Sequence, residues 1–72
     1  MMMVTEKIEF ILMLISAFAK HYQLTKKQAY RYMARYKGID LCMEHYGIMH
    51  TLSLEDNIES LAKYCRKNGG LL

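Results

Sequence analysis

Two cysteines and two histidines in the C-terminal half of the chain are the residues whose types could perform chemistry. They are Cys42, His45, His50 and Cys65. Thiolate and imidazole are the ligands of structural zinc, and Cys42 and His45 are spaced to project from one face of a helix. Zinc sites usually pair close ligands twice, however, and Cys65 stands alone in an apolar stripe, where a free cysteine acts as a small hydrophobic residue. We therefore expect no metal, with these four residues as the candidates should one bind.

The same cysteines and histidines could supply a nucleophile and its base. The 72 residues contain no glycine-rich phosphate loop, no paired-carboxylate motif and no nucleophile elbow beside them. We expect a protein without enzymatic activity and without a cofactor. No secretory signal is recognisable, so we expect both cysteines to be reduced thiols and the protein to be cytoplasmic.

The charged residues are separated along the chain into two segments of opposite sign. Residues 20–37 carry only basic charges and residues 40–59 carry only acidic ones, within a net charge of +3. The basic residues are Lys20, Lys26, Lys27, Arg31, Arg35 and Lys37, and the acidic ones are Asp40, Glu44, Glu55, Asp56 and Glu59. The two segments either face each other within the fold, lie on solvated surfaces or serve a partner.

A basic face of the second helix is the candidate binding surface. It consists of Lys27, Tyr30, Arg31, Tyr32 and Arg35. Arginine and tyrosine are frequent interface anchors, which predicts binding to an acidic surface of another protein, or self-association. Nucleic acid is the alternative, because bases stack on tyrosine rings beside basic residues. A helix-turn-helix is disfavoured, since the following short helix carries Asp40 and Glu44, which phosphates would repel.

An apolar helix over residues 8–19 must position these groups. Its hydrophobic residues recur at steps of three and four and widen around most of the helix, so we expect other helices to surround it, with Leu12 and Ile15 at the centre of the core. The run is too short, and too closely bounded by Lys7 and Lys20, to span a membrane.

Capping signals predict the remaining helices. Thr5 is expected to cap the first helix, and the second is expected to run from Lys26 to Lys37 behind a Thr25–Gln28 capping box. A short third helix is expected from Asp40 to Tyr46, and the last from Ser53 to Asn68. Gly38 and Gly47 are expected to end the second and third helices, and residues 48–52 to be irregular. The prediction is a small, compact all-α bundle of three main helices plus one short helix, forming a single domain over residues 1–72 with frayed ends at 1–4 and 69–72.

The composition agrees with a small folded domain. Hydrophobic residues make up 53% of the chain and proline is absent, which favours unbroken helices over disorder. A core of this size supplies only about 3–5 kcal/mol of net stability, so oligomerisation or a partner would help.

The stretch Tyr46-Gly47-Ile48-Met49-His50-Thr51, together with Lys7-Ile8-Glu9-Phe10 at the start of the first helix, resembles a small bacterial family of unknown function. The resemblance implies no enzymatic activity. It implies an accessory or antitoxin-like partner of a co-encoded protein, since members are sometimes encoded near ADP-ribosyltransferase-like proteins. The basic second helix and Gly47 depart from the usual pattern. From the residues themselves, we expect His50 to satisfy buried backbone groups and Thr51 to assist entry into the last helix, with direct binding as the alternative.

Overall fold

The computed structural model describes the backbone of residues 2–72 and the side chains of residues 6–72. This part of the chain forms five helices and no strand, which confirms the predicted all-α bundle. The helices are α1 (Met2–Tyr22), α2 (Lys26–Arg35), α3 (Gly38–Glu44), α4 (Tyr46–Met49) and α5 (Leu54–Lys67). The sequence predicted one short helix, whereas the structure has two, α3 and α4.

The long helix α1 is the element around which the others pack. It contacts α2, α3 and α5, and it buries Leu14 and Phe18 completely. Ile15 is also buried, as expected, but Leu12 is 58% exposed. The expectation that Leu12 lies in the core was wrong, because the other helices cover only one side of α1. The predicted Thr5 cap rests on a side chain outside the described ones, and the backbone is already helical from Met2.

The junction between α2 and α3 differs from the prediction. Helix α2 ends at Arg35, and Lys37 rather than Gly38 takes the left-handed conformation, with φ of 68°. Gly38 is instead the first residue of α3 and is buried. A Cβ atom on Gly38 would lie 2.9 Å from Cys65 Sγ, so glycine is required here for close packing against α5.

Residues 46–49 form the short helix α4, where an irregular segment was predicted to begin at residue 48. Gly47 therefore lies inside a helix instead of ending one. The Tyr46 ring packs edge-on against Phe10 of α1 with centroids 5.3 Å apart, and Met49 is buried in the core. Tertiary packing stabilises a helix too short to form alone.

Helix α5 begins and ends as its sequence predicts. Ser53 Oγ accepts a hydrogen bond from the Asp56 amide at 3.1 Å. At the other end, the Gly70 and Gly69 amides donate to the Cys65 and Arg66 carbonyls, and Gly69 has φ of 106°, which together form a Schellman motif. Beyond it, Gly70 is buried and Leu72 packs on the core, so the segment expected to fray is in contact with the bundle.

No helix within residues 2–72 is both long enough and apolar enough to cross a lipid bilayer.

Candidate interaction surface

The basic face of α2 is positioned by the start of the helix and by its buried side. Thr25 Oγ1 accepts from the Gln28 amide at 3.1 Å, and Gln28 Oε1 accepts from the Thr25 amide at 2.9 Å, which fixes the first turn at Lys26. Ala29 and Met33 are fully buried in the core. This rotation of the helix leaves the opposite face to solvent.

The structure separates the five predicted binding residues into three groups. Lys27, Tyr30 and Arg31 are exposed on the outer side of α2. Arg35 is also exposed, but its guanidinium carbon lies 5.7 Å from the centre of the Tyr36 ring, a cation–π contact within the protein. Three residues of the predicted set therefore remain on the open face of the helix.

The fifth predicted residue, Tyr32, faces inward. Its ring stacks on Phe18 with centroids 5.8 Å apart, and its hydroxyl accepts a hydrogen bond from the Leu72 amide at 2.9 Å. Desolvation by burial raises the pKa of Tyr32, against a smaller lowering by the Leu72 hydrogen bond. Tyr32 holds the C-terminal residues to the bundle and does not lie on the surface with the other tyrosine.

Sequence reasoning missed a groove between α1 and α2. The groove has a volume of about 460 Å³. Its lining residues are Leu12, Ile15 and Ser16 of α1 and Lys26, Lys27 and Tyr30 of α2. Leu12 and Tyr30 are each more than half exposed, at 58% and 52%. The sequence signal for this groove was the width of the apolar face on α1, which exceeds what a single-sided contact covers. We call this feature the basic groove.

The acidic start of α5 lines a different groove, between α1 and α5. There Glu55 and Glu59 lie with Lys20 and His21 around a volume of about 550 Å³. Helix α5 packs mainly against α1 and α3, and α2 packs against the same two helices. The acidic start of α5 is thus placed beside the end of α1, and among the described side chains lining the basic groove none is a carboxylate.

The two cysteines are buried thiols on neighbouring helices. Cys42 and Cys65 are both free, as predicted, and neither is exposed to solvent. Desolvation, reinforced by the proximity of Cys65, raises the pKa of Cys42 to about 12. Desolvation also raises the pKa of Cys65, against a smaller lowering by a hydrogen bond from the Gly38 backbone. Because the thiolate is the nucleophilic form, burial and the raised pKa disfavour reaction of either thiol with reagents from solvent.

The two predicted histidine candidates lie on the surface, away from this thiol pair. His45 and His50 are exposed, and within residues 6–72 no group of three or more His, Cys, Asp or Glu side chains has the geometry to hold a metal ion. The His50 ring stacks on Tyr46, and its Nδ1 lies 2.9 Å from the Tyr46 carbonyl oxygen. Thr51 Oγ1 donates to the Ile48 carbonyl at 2.6 Å. Both motif residues therefore bond to carbonyls of α4 in exposed positions, whereas we expected His50 to satisfy buried backbone groups and Thr51 to assist entry into the last helix.

Residues 9–68 match a protein family described as a protein of unknown function, DUF3791. The chain belongs to the DUF3791 family. This confirms the expected membership of a family of unknown function. No match was found among curated proteins, and none among solved structures. In this DUF3791 chain, all of the residues that line the basic groove fall within the matched range.

Asn57 is a buried polar residue of the DUF3791 protein that the sequence did not single out. It is 1% exposed, and its Nδ2 donates to the Met49 carbonyl at 2.9 Å, which joins α5 to the end of α4. Its Oδ1 atom is buried without a hydrogen-bond partner. Asn57 lines neither the basic groove nor the groove between α1 and α5, and its hydrogen bond positions α4.

Proposed function

We propose that this DUF3791 protein is a non-enzymatic interaction module that binds an acidic surface of another protein through α2. The observation that carries the proposal is the exposed basic face of α2, where Lys27, Tyr30 and Arg31 all lie open to solvent. Tyrosine and arginine bury area with little entropy loss and recur at interface hot spots.

The fold by itself gives no reason for this arrangement of charge. Lys26 and Lys27 occupy the first turn of α2, which has no acidic residue. Cations at a helix N-terminus oppose the helix dipole, typically by about 0.3–1 kcal/mol each at the surface. An acidic partner offsets this cost, because its carboxylates interact favourably with both the lysines and the N-terminus of α2.

The apolar surface next to the cations supports a protein partner over nucleic acid. Leu12 is exposed in the same groove as Lys26, Lys27 and Tyr30. A phosphate backbone gains nothing from an aliphatic side chain, whereas interfaces between proteins bury such residues at their centre. The buried, high-pKa thiols support a binding role over nucleophilic catalysis.

The first partner to test is a protein encoded beside this one, because the family resemblance suggests an accessory or antitoxin-like role. A cytoplasmic location is part of the proposal, and the two free thiols support it. The experiment measures binding of the purified neighbour to the parent protein and to the double variant Lys27→Glu/Arg31→Glu. We expect at least a tenfold loss of affinity, about 1.4 kcal/mol, with association that slows steeply as salt rises.

A second double variant, Lys63→Glu/Lys67→Glu, is the matched control, since both lysines are exposed on α5 and the change in net charge is the same. It should bind as the parent does. The melting temperature should change by no more than the helix-dipole effect, a few degrees upward from Lys27→Glu in the first turn of α2 and downward from Lys67→Glu in the last turn of α5. A fall in melting temperature with unchanged binding in Lys27→Glu/Arg31→Glu refutes the proposal. Tight, salt-sensitive binding of the parent to short oligonucleotides, with no binding to the neighbouring protein, favours the nucleic-acid alternative.

A further inference from the structure

The strongest unexplained feature of the surface is the apolar floor of the basic groove. Leu12 is 58% exposed and Tyr30 is 52% exposed, and Ile8, one helical turn before Leu12 on α1, is 50% exposed. Large aliphatic side chains one turn apart form a ridge of the kind that packs into the groove of another helix. The remaining large side chains on the opposite side of α1 are already covered by the bundle.

The edge of the groove is cationic on its α2 side. Lys26 and Lys27 line the groove together with Tyr30, and the described lining contains no carboxylate. Long lysine side chains can lay their methylene groups along an apolar surface and keep the ammonium group at its edge. The groove therefore combines an apolar floor with a positively charged border, which selects a ligand having an apolar stripe beside acidic residues.

The shape of the site favours a helix as the ligand. The groove lies between two packed helices joined by a short connection, and residues 2–72 present no strand edge to which an extended peptide could add. Recognition by a concave groove between helices is a standard mode for an amphipathic helix, read through residues spaced by three and four.

From these observations we infer that the basic groove binds one amphipathic helix of the partner, with that helix's apolar stripe on Leu12 and Tyr30 and its acidic residues beside Lys26 and Lys27. This inference rests on the proposed function, because it names the part of the partner that the basic face of α2 recognises. The aliphatic contact supplies affinity, and the charges supply orientation and association rate.

The test uses three synthetic peptides of about 16 residues, long enough to form helix on binding. The first has leucines on one helical face and glutamates on either side. The second has the same composition in an order that gives no apolar face, and the third has lysine in place of glutamate. We expect only the first to bind the parent protein, with a Kd of roughly 10⁻⁴ M by fluorescence anisotropy. Amide shifts in NMR spectra should locate it at Leu12 and Tyr30.

The decisive variant is Leu12→Gln, which removes apolar area while keeping a residue of good helix propensity. Met13→Gln is the matched control, because Met13 is similarly exposed on α1 but does not line the groove. We expect Leu12→Gln to lower the affinity for the first peptide at least tenfold and Met13→Gln to leave that affinity unchanged. Both variants should fold as the parent does.

Each other outcome overturns a defined part of the inference. Equal binding of the first two peptides, with no effect of Leu12→Gln, refutes binding of a helix in the basic groove. The proposed function, binding to an acidic surface, is not affected by that result. Failure of both acidic peptides to bind refutes the inference, while binding of the neighbouring protein decides the proposed function separately. Tighter binding of the parent to anionic lipid vesicles than to the first peptide, lost in Leu12→Gln, assigns the groove to a membrane surface. A dimer of the parent in sedimentation that Leu12→Gln dissociates assigns it to a second copy.

Discussion

Asn57 shows how a single buried side chain determines the position of a short helix. Its amide nitrogen bonds to the carbonyl of Met49, the last residue of α4, across a sequence separation of eight residues. A carbonyl group buried without a partner costs about 1–3 kcal/mol, so this bond favours the observed placement of α4 over alternatives. The unpartnered Oδ1 atom reduces the net stabilisation that Asn57 provides, so the favourable contribution comes from the Nδ2 hydrogen bond.

We predict that Asn57→Ala destabilises the protein by roughly 2–3 kcal/mol, because it leaves the Met49 carbonyl unsatisfied and creates a cavity. Asn68→Ala is the matched control, since Asn68 makes the same kind of bond, from Nδ2 to the Tyr64 carbonyl at 2.8 Å, but in an exposed position. Its cost should stay below about 1 kcal/mol. Urea denaturation monitored by circular dichroism measures both. Equal midpoints for the two variants would show that burial of the Asn57 bond has no energetic consequence.

His50 illustrates what a sequence can and cannot reveal about one residue. Its place after a short apolar stretch led us to expect a partner among buried backbone groups, and the structure shows a bond to the Tyr46 carbonyl in an exposed position. Its exposure could not be inferred, because the ring is placed by stacking on Tyr46, whose own position depends on Phe10 of another helix. Local hydrogen bonding is encoded locally, whereas burial depends on the packing of distant residues.

At the scale of the helices, Gly38 sets the distance between α3 and α5. A Cβ atom there would meet Cys65 Sγ at 2.9 Å and Met33 Cβ and O at 3.3 Å. All three atoms belong to the buried interior, where no side chain can turn away into solvent. The sequence suggested a helix stop at this glycine, since glycine is common at both helix ends and close approaches and only the tertiary structure distinguishes the two.

We predict that Gly38→Ala destabilises the protein by about 1–3 kcal/mol through overpacking. Gly47→Ala should instead stabilise it by about 0.5–1 kcal/mol, because nothing lies within 4 Å of its added Cβ and alanine is the better helix former. Adding Cys65→Ala to Gly38→Ala should recover part of the loss, since the nearest atom is removed. Thermal and chemical unfolding of the parent, Gly38→Ala, Cys65→Ala and the double variant give the coupling energy. Additive effects of the two substitutions would contradict a steric origin.

The two sides of α1 are distinguished by another pair of substitutions. Ile15→Ala should cost roughly 2–4 kcal/mol, because Ile15 is 7% exposed within the core. Leu12→Ala should cost less than about 0.5 kcal/mol, because its side chain is already largely in solvent. Denaturation midpoints measure both. A large loss from Leu12→Ala would mean that the exposed face of α1 is covered in solution, for example by a second copy of the chain.

At the scale of the whole molecule, the predicted elements with strong capping signals are the ones observed. The Thr25 box and the Ser53 cap locate α2 and α5 because the relevant bonds are made within four residues. The basic groove could not be predicted in the same way. Its formation depends on which side of α1 the other helices leave uncovered, and an apolar helix of this kind is equally compatible with complete burial. Of the two lysines that line the groove, Lys27 was among the residues proposed from the sequence, whereas Lys26 and the aliphatic neighbour Leu12 were not.

The buried thiols give the whole fold a dependence on alkaline pH. Desolvation holds the pKa of Cys42 near 12 in the folded protein, against an ordinary value of 9.0, and raises the pKa of Cys65 as well. Between these values the unfolded chain releases a proton that the folded chain retains, so the unfolded state gains stability as pH rises. The contribution is complete below pH 9 and is lost progressively as pH rises towards 12.

We therefore predict that the free energy of unfolding falls between pH 8 and about pH 10.5, and that Cys42→Ala lowers stability at pH 8 but flattens this fall. Part of the slope should remain in the variant, because burial also raises the pKa of Cys65 and of Tyr32. Urea denaturation at several pH values gives the slopes, and reaction with a thiol reagent should be slow in the native protein and fast in the unfolded one. An identical slope in parent and variant, or rapid native labelling at pH 8, would mean that Cys42 is accessible to solvent and that α3 does not place it in the core as described.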